Sequence, residues 1–121
     1  MNTTQGKAIS AFVAIQKLSQ KTLPTLTAYK LFRMKKALHD IVDFQGEQER
    51  KMVDKYNGTV TPEGSIVILD AEKRAAFQTE HNELQKLPCE VDVEPIVLPM
   101  GDIPEISIAD MEALEGFVNL E

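Results

Sequence analysis

The chain has 121 residues, of which 43% are hydrophobic and 26% are charged, with a net charge of −6 and a single cysteine. This length and composition predict one soluble globular domain, residues 1–121, and exclude a disordered chain. They also exclude an intrachain disulfide and a cysteine-based zinc cage, and no apolar run approaches the roughly 20 residues of a membrane-spanning helix.

The charges are segregated along the chain. Residues 1–39 contain seven Lys and Arg residues and no Asp or Glu, whereas residues 90–121 contain nine Asp and Glu residues and no Lys or Arg. Because opposite charges attract within one molecule or between two, the pattern has two interpretations. The acidic segment folds back on the basic helices, which we expect, or it docks on another copy or on a basic partner.

Two helices are predicted first, in residues 4–21 and 25–56. Both show apolar side chains at helical spacing, and the second has a charged opposite face. Pro24 disfavours helical geometry at the preceding residue, and so short a connection predicts an antiparallel helical hairpin. Gly46 costs about 1 kcal/mol relative to Ala in a helix interior, so the long helix either bends or breaks there or stays continuous.

The next elements are a hairpin and a third helix. Residues 59–61 and 65–69 are predicted to be short strands, because the Pro-Glu-Gly sequence near their connection suits a tight turn. The second strand is apolar, so it is either covered by the helices, which we favour, or open to another strand. Asp70 is expected to cap a third helix, residues 71–87.

The C-terminal quarter is predicted to be mostly irregular. Residues 89–93 alternate between apolar and acidic side chains, which predicts a half-buried strand. Residues 96–104 are rich in proline, which predicts an extended surface loop. Ser107 is expected to cap a short helix that ends near Glu115. Three apolar side chains at the end of the chain form either a core plug or a docking peptide: Phe117, Val118 and Leu120.

These elements predict an α+β fold that is mainly α. Its parts are an antiparallel helical hairpin with one long helix, a third helix and a small antiparallel β element.

Few residue groups favour catalysis. Glu90, Asp92 and Glu94 would project from one strand face at intervals of roughly 7 Å, where they could bind a divalent cation or exchange protons, although a solvated strand face is the favoured interpretation. His39 and Asp43 share a helix face without an evident third ligand. No glycine-rich phosphate loop is present. We therefore predict no catalytic residue, no metal site and no cofactor.

The charged clusters are better candidates for protein contacts. The basic stretch of the long helix could touch phosphates, but its charges spread around the helix and the acidic C-terminal segment would repel nucleic acid, so we expect no nucleic-acid partner. The candidate partner-binding residues are Lys30, Arg33, Lys35 and Lys36 in the long helix, Glu90, Asp92 and Glu94 in the acidic strand, and Phe117, Val118 and Leu120 at the end.

Three segments carry a resemblance to a known family: TLPTLTAYKLFRMKKAL (22–38), ELQKLPCEVDVEPI (83–96) and IPEISIADMEAL (103–114). In these segments, and in the order of its predicted elements, the chain resembles a family of small proteins encoded by tailed phages and prophages. The resemblance implies a phage protein made in the cytoplasm of the bacterial host, without a cofactor or enzymatic activity. It assigns no role to individual residues.

The predicted function is that of a non-enzymatic phage protein acting through protein–protein contacts, in virion assembly or structure. Its partner would be a phage structural protein or another copy of the chain, with no membrane partner, and the protein would lie in the host cytoplasm or in the virion. An alternative is an accessory protein that binds a host protein, including as the trigger recognised by an antiphage defence sensor. A third, less favoured, is a metal-dependent enzyme.

Overall fold

The computed structural model describes residues 1–103 and 105–121. In this part of the chain the α-helices are α1 (Gln5–Leu18), α2 (Thr25–Lys55), α3 (Ala71–Lys86) and α4 (Ile108–Leu114). The strands are β1 (Asn2–Thr4), β2 (Thr59–Val60), β3 (Ile66–Val67), β4 (Pro88–Glu90), β5 (Ile96–Leu98) and β6 (Val118–Leu120), and a 3₁₀ turn spans Met100–Asp102. The predicted fold class, α+β and mainly α, is confirmed.

The helices α1 and α2 form the predicted antiparallel hairpin. Gln5 Nε2, at the start of α1, donates to Ile41 O at 2.8 Å, whereas Lys35 Nζ lies 5.8 Å from the ring centroid of Phe12, nearer the turn. Small side chains let the two helices approach closely, since three alanines of α1 are buried: Ala8, Ala11 and Ala14. The helix α2 is continuous from Thr25 to Lys55, so it does not break at Gly46.

Replacing Gly46 with alanine is expected to stabilise the protein by about 0.5–1 kcal/mol. A Cβ at this position meets no atom within 4 Å, and alanine loses less backbone entropy than glycine on entering a helix. Urea unfolding measures the change. Gly64→Ala is the control: its φ of +86° strains any L side chain, so it should lower stability. Lower stability of Gly46→Ala would mean that α2 bends at this glycine in solution.

The helix α3 packs against both helices of the hairpin. Asp70 caps its start by accepting from Lys73 N at 3.0 Å, as predicted. Its end meets the start of α1, where Gln5 N donates to Leu87 O at 2.8 Å. A Cβ at Gly6 would lie 3.1 Å from Gln85 O, so a glycine permits this close approach. The third helix therefore closes the hairpin at the open end of α1 and α2.

The strand pairing differs from the prediction at both ends of the chain. The unpredicted β1 pairs antiparallel with β4, with Thr3 opposite Cys89. The proline-rich segment 96–104 is not a loop throughout, because β5 pairs in parallel with β6; Pro104 lies outside the described residues. In each case the partner strand is distant in the sequence, so no local pattern predicts the pairing. The hairpin of β2 and β3 is antiparallel, as predicted.

The predicted strand 89–93 is shorter than expected. Regular pairing ends at Glu90, and the last hydrogen bonds join Val91 N to Met1 O at 2.8 Å and Met1 N to Val91 O at 2.7 Å. The chain then bends at Asp92 and Val93, before Pro95. Burial still alternates as predicted, since Glu90, Asp92 and Glu94 are exposed whereas Cys89, Val91 and Val93 are more buried.

The acidic C-terminal segment folds back on the basic helices, the first of the two interpretations of the charge pattern. Lys17 Nζ lies 3.2 Å from Asp110 Oδ1, and Thr27 Oγ1 donates to Asp102 Oδ2 at 2.7 Å. Apolar burial dominates this contact, however, because Leu114, Phe117 and Val118 are at most 5% exposed and belong to the core that α1 and α2 form. Among the described residues, Lys17 and Asp110 form the one ion pair between the two oppositely charged segments.

Within residues 1–103 and 105–121, no helix combines the length and the apolar character needed to span a membrane.

Candidate protein-interaction groove

A surface groove lies between the basic stretch of α2 and the acidic segment between β4 and β5. Its volume is about 450 Å³. Four of the predicted partner-binding residues line it: Lys30, Arg33, Asp92 and Glu94. The structure thus brings together two charged clusters that are about 60 residues apart in the sequence. We call this feature the charged groove.

Helical spacing explains the α2 wall of the charged groove. Leu26, Tyr29, Lys30 and Arg33 lie three or four residues apart and share one side of the helix. Beneath them Met34 is fully buried and forms part of the floor.

The opposite wall is held in place by the core. Val91 and Leu98, on either side of the acidic residues, are 1% and 0% exposed. Lys30 Nζ also crosses the groove and donates to Val97 O at 3.2 Å. The backbone that carries the acidic side chains is therefore held next to α2 by buried residues on both sides.

The charged groove exposes apolar side chains between charges of both signs. Leu26, Tyr29 and Val97 are 66%, 54% and 44% exposed. Exposed apolar side chains beside tyrosine and arginine are typical of protein-binding surfaces, and the surrounding charges orient a partner. Chemically, the groove is suited to non-covalent binding of a protein segment.

The other predicted charged residues lie outside the groove. Lys35 is half-buried with its ammonium group over the ring of Phe12, so an intramolecular contact engages its charge. Lys36 is exposed further along α2. Glu90 is exposed in β4, opposite Asn2 of β1.

The three apolar residues at the end of the chain belong to the core. Phe117 and Val118 are 3% and 5% exposed, and Leu120 is half-buried against the same cluster. This decides between the two interpretations of the tail in favour of the core plug. The physical reason is the pairing of β6 with β5, which holds Val118 and Leu120 beside the buried Leu98.

The regular strand that would space the carboxylates of residues 90, 92 and 94 evenly ends at Glu90. Among the described residues, the group of three ligand-bearing side chains with atoms within 4.8 Å of one another is instead His39, Asp40 and Asp43. Asp40 is the third member that the sequence analysis missed. All three are exposed, and His39 Nδ1 lies 3.2 Å from Asp43 Oδ2 as an ordinary pair within the helix. We assign no metal site to them.

Sequence analysis also missed a polar cluster between α2 and α3. Gln45 is 6% exposed and donates through Nε2 to Glu49 Oε1 at 2.7 Å. His81 Nε2 lies 3.3 Å from the same carboxylate oxygen, and its ring stacks on Phe77 with centroids 5.9 Å apart. The sequence does contain a sign of this cluster, because the polar residues Gln45 and Glu49 interrupt the apolar arc of α2. A half-buried helix contact accounts for His81, although Gln45 Oε1 is buried without a hydrogen-bond partner among the described residues.

Two further features sit outside the charged groove. A smaller groove of about 350 Å³ lies between α2 and α3, beside the ion pair of Lys55 Nζ and Glu80 Oε1 at 2.7 Å, and hydrogen bonding to Glu80 raises the pKa of Lys55. Burial raises the pKa of the Cys89 thiol, which disfavours the nucleophilic thiolate.

Comparisons of the chain with protein-family models, with curated proteins and with solved structures find no match. The phage family therefore stays a prediction that rests on the three sequence segments quoted above.

Proposed function

We propose that this chain is a non-enzymatic phage protein that acts through protein–protein contacts in virion assembly or structure, and that the charged groove is its partner-binding site. The observation that carries the proposal is the exposure of Leu26, Tyr29 and Val97 between charges of both signs. The phage setting, and with it synthesis in the host cytoplasm, comes from the resemblance of the sequence.

The chemistry of the groove describes the partner. A segment with an apolar side chain between a basic and an acidic residue would match Leu26 and Tyr29 in the middle, with Arg33 on one side and Glu94 on the other. Such a segment would be bound chiefly by its apolar residue, because exposed ion pairs contribute about 0–1 kcal/mol each.

Leu26→Glu is the variant that tests the groove. It places a charge where an apolar partner residue would pack, and Leu26 is 66% exposed, so the fold should be unaffected. The tagged protein is recovered from expressing and from phage-infected bacteria, and co-purifying proteins are identified by mass spectrometry. We expect phage structural proteins with the unsubstituted chain and at least a ~10-fold loss with Leu26→Glu, the factor that about 1.4 kcal/mol of binding free energy corresponds to.

A second candidate function, binding of a host protein, is favoured by the hairpin of β2 and β3. Val60 and Val67 are 61% and 39% exposed, and Leu69, which follows the hairpin, is 90% exposed. Of the predicted apolar strand, only Ile68 is buried, at 5% exposure. The helices thus cover one residue of the predicted second strand. The exposed surface formed by Val60, Val67 and Leu69 is suited to an apolar contact.

Leu69→Glu is both the control for the groove and the test of this second surface. Loss of phage structural proteins with Leu26→Glu but not with Leu69→Glu supports the proposal. A single host protein that is lost only with Leu69→Glu would contradict it and support the host-directed function, including recognition by a defence sensor. Equal recovery of partners with both variants would exclude both surfaces.

A further inference from the structure

One side of α2 is exposed, and at its edge Arg33 also lines the charged groove and Phe44 the smaller groove between α2 and α3. Six side chains between residues 32 and 44 lie on this side, and all are exposed: Phe32, Arg33, Lys36, Asp40, Asp43 and Phe44. At 100° per residue they occupy an arc of about 120°, opposite the arc that packs into the core. Phe32 and Phe44 are 58% and 42% exposed, which is unusual for phenylalanine on a solvated helix face. We call these six residues the outer face of α2.

The sequence of the outer face is complementary to itself. When two α2 helices pack antiparallel about a twofold axis at Leu38, residues equally distant from Leu38 on its two sides lie opposite each other. Arg33 is then opposite Asp43, and Lys36 is opposite Asp40. Each pair occurs twice, and no like charges of the outer face meet.

The same register places the exposed aromatic side chains at the edges of the contact. Phe32 of one copy is level with Phe44 of the other but on the opposite edge, so Phe44 lies beside Arg33 of the other copy and Phe32 lies beside Asp43 of the other copy. The contact spans about 18 Å along the helices, given a rise of 1.5 Å per residue. Aromatic side chains at its edges and opposite charges between them give both burial and a fixed register.

We propose that the outer face of α2 mediates an antiparallel homodimer of this chain. The symmetry of the pattern about Leu38 identifies a second copy as the occupant, because a different partner would have no reason to require it. Since the contact is short, we expect a weak dimer whose population depends on protein concentration.

Existing contacts of the outer face are compatible with the dimer. Asp43 Oδ2 lies 3.2 Å from His39 Nδ1, which leaves the other carboxylate oxygen free for an arginine. The inference does not depend on the partner proposed for the charged groove. The two surfaces adjoin at Arg33, but Leu26 lies outside the outer face.

Charge exchange tests the proposed register. The molar mass of the unsubstituted protein is measured by sedimentation velocity over a series of concentrations and should rise from monomer to dimer. Arg33→Asp places like charges opposite Asp43, and Asp43→Arg places like charges opposite Arg33. Each variant alone should therefore dimerise at least ~10-fold more weakly. An equimolar mixture of the two variants should recover the dimer, because every opposed pair is then of opposite sign.

The recovery in the mixture is the decisive readout, since neither a change in folding nor a general loss of charge produces it. Circular dichroism checks that each variant is folded, and Lys36→Asp mixed with Asp40→Lys repeats the test at the second pair. A monomer at all concentrations would overturn the proposal, and so would a mixture no more dimeric than its components. Leu26→Glu should dimerise normally, so failure of the groove and failure of the dimer are distinguishable.

Discussion

Replacing Phe117 with alanine is expected to lower the free energy of unfolding by about 3–5 kcal/mol. Phe117 is 3% exposed and lies in the same buried cluster as Ile15 and Leu38. Its removal deletes a large apolar contact and leaves a cavity where the C-terminal segment covers α1. For a domain of this size, such a loss is a large part of the total stability. Guanidinium unfolding followed by circular dichroism measures it.

The control for Phe117 comes from the same segment. Ile108 is also a large apolar residue, but it is 76% exposed on α4, so Ile108→Ala should change stability by less than about 0.5 kcal/mol. An equally small effect of Phe117→Ala would show that the end of the chain is a docking peptide in solution. If Phe117→Ala instead lowered the slope of the unfolding free energy against denaturant concentration, the C-terminal segment would unfold separately from the rest of the domain.

Replacing Ala11 with leucine is expected to destabilise the protein by about 1–3 kcal/mol, although the new side chain is more hydrophobic. Ala11 is 0% exposed, and its helix α1 packs against both α2 and α4. Interiors are close-packed, so the added methyl groups must displace helices or adopt strained rotamers. The change is measured by the same guanidinium unfolding.

Ala76→Leu is the matched substitution for this prediction. It adds the same atoms to an exposed position of α3, where nothing must move, and it should leave stability within about 0.5 kcal/mol. If Ala11→Leu proved neutral or stabilising, the helices of the hairpin would be further apart in solution than in the structure.

The helices were predictable because their signals are local. The long helix was predicted for residues 25–56 and extends from Thr25 to Lys55, and the third was predicted for 71–87 and extends from Ala71 to Lys86. Apolar residues at three- and four-residue spacing and capping side chains such as Asp70 act within one or two turns. The residues that define each end of a helix are therefore close to that end in the sequence.

The strands were less predictable because their partners are remote. The bonds of β1 reach β4, almost 90 residues away, and β5 pairs with β6 about 20 residues later. A short strand is stabilised by its partner more than by its own composition. The segment after Pro95 therefore has the local pattern of a loop, and only its pairing with Val118 and the following residues makes it a strand.

For the candidate site, too, local features could be predicted from the sequence and long-range contacts could not. The sequence by itself determined which side chains carry charge, that Lys30 and Arg33 share a helix face, and that acidic residues follow the third helix, since composition and helical spacing settle these points. Only the tertiary structure decided that Asp92 and Glu94 meet that face in one groove, and that Phe117 is buried. The physical reason is that burial of apolar surface places distant segments together, and this burial is a property of the whole chain that no single segment encodes.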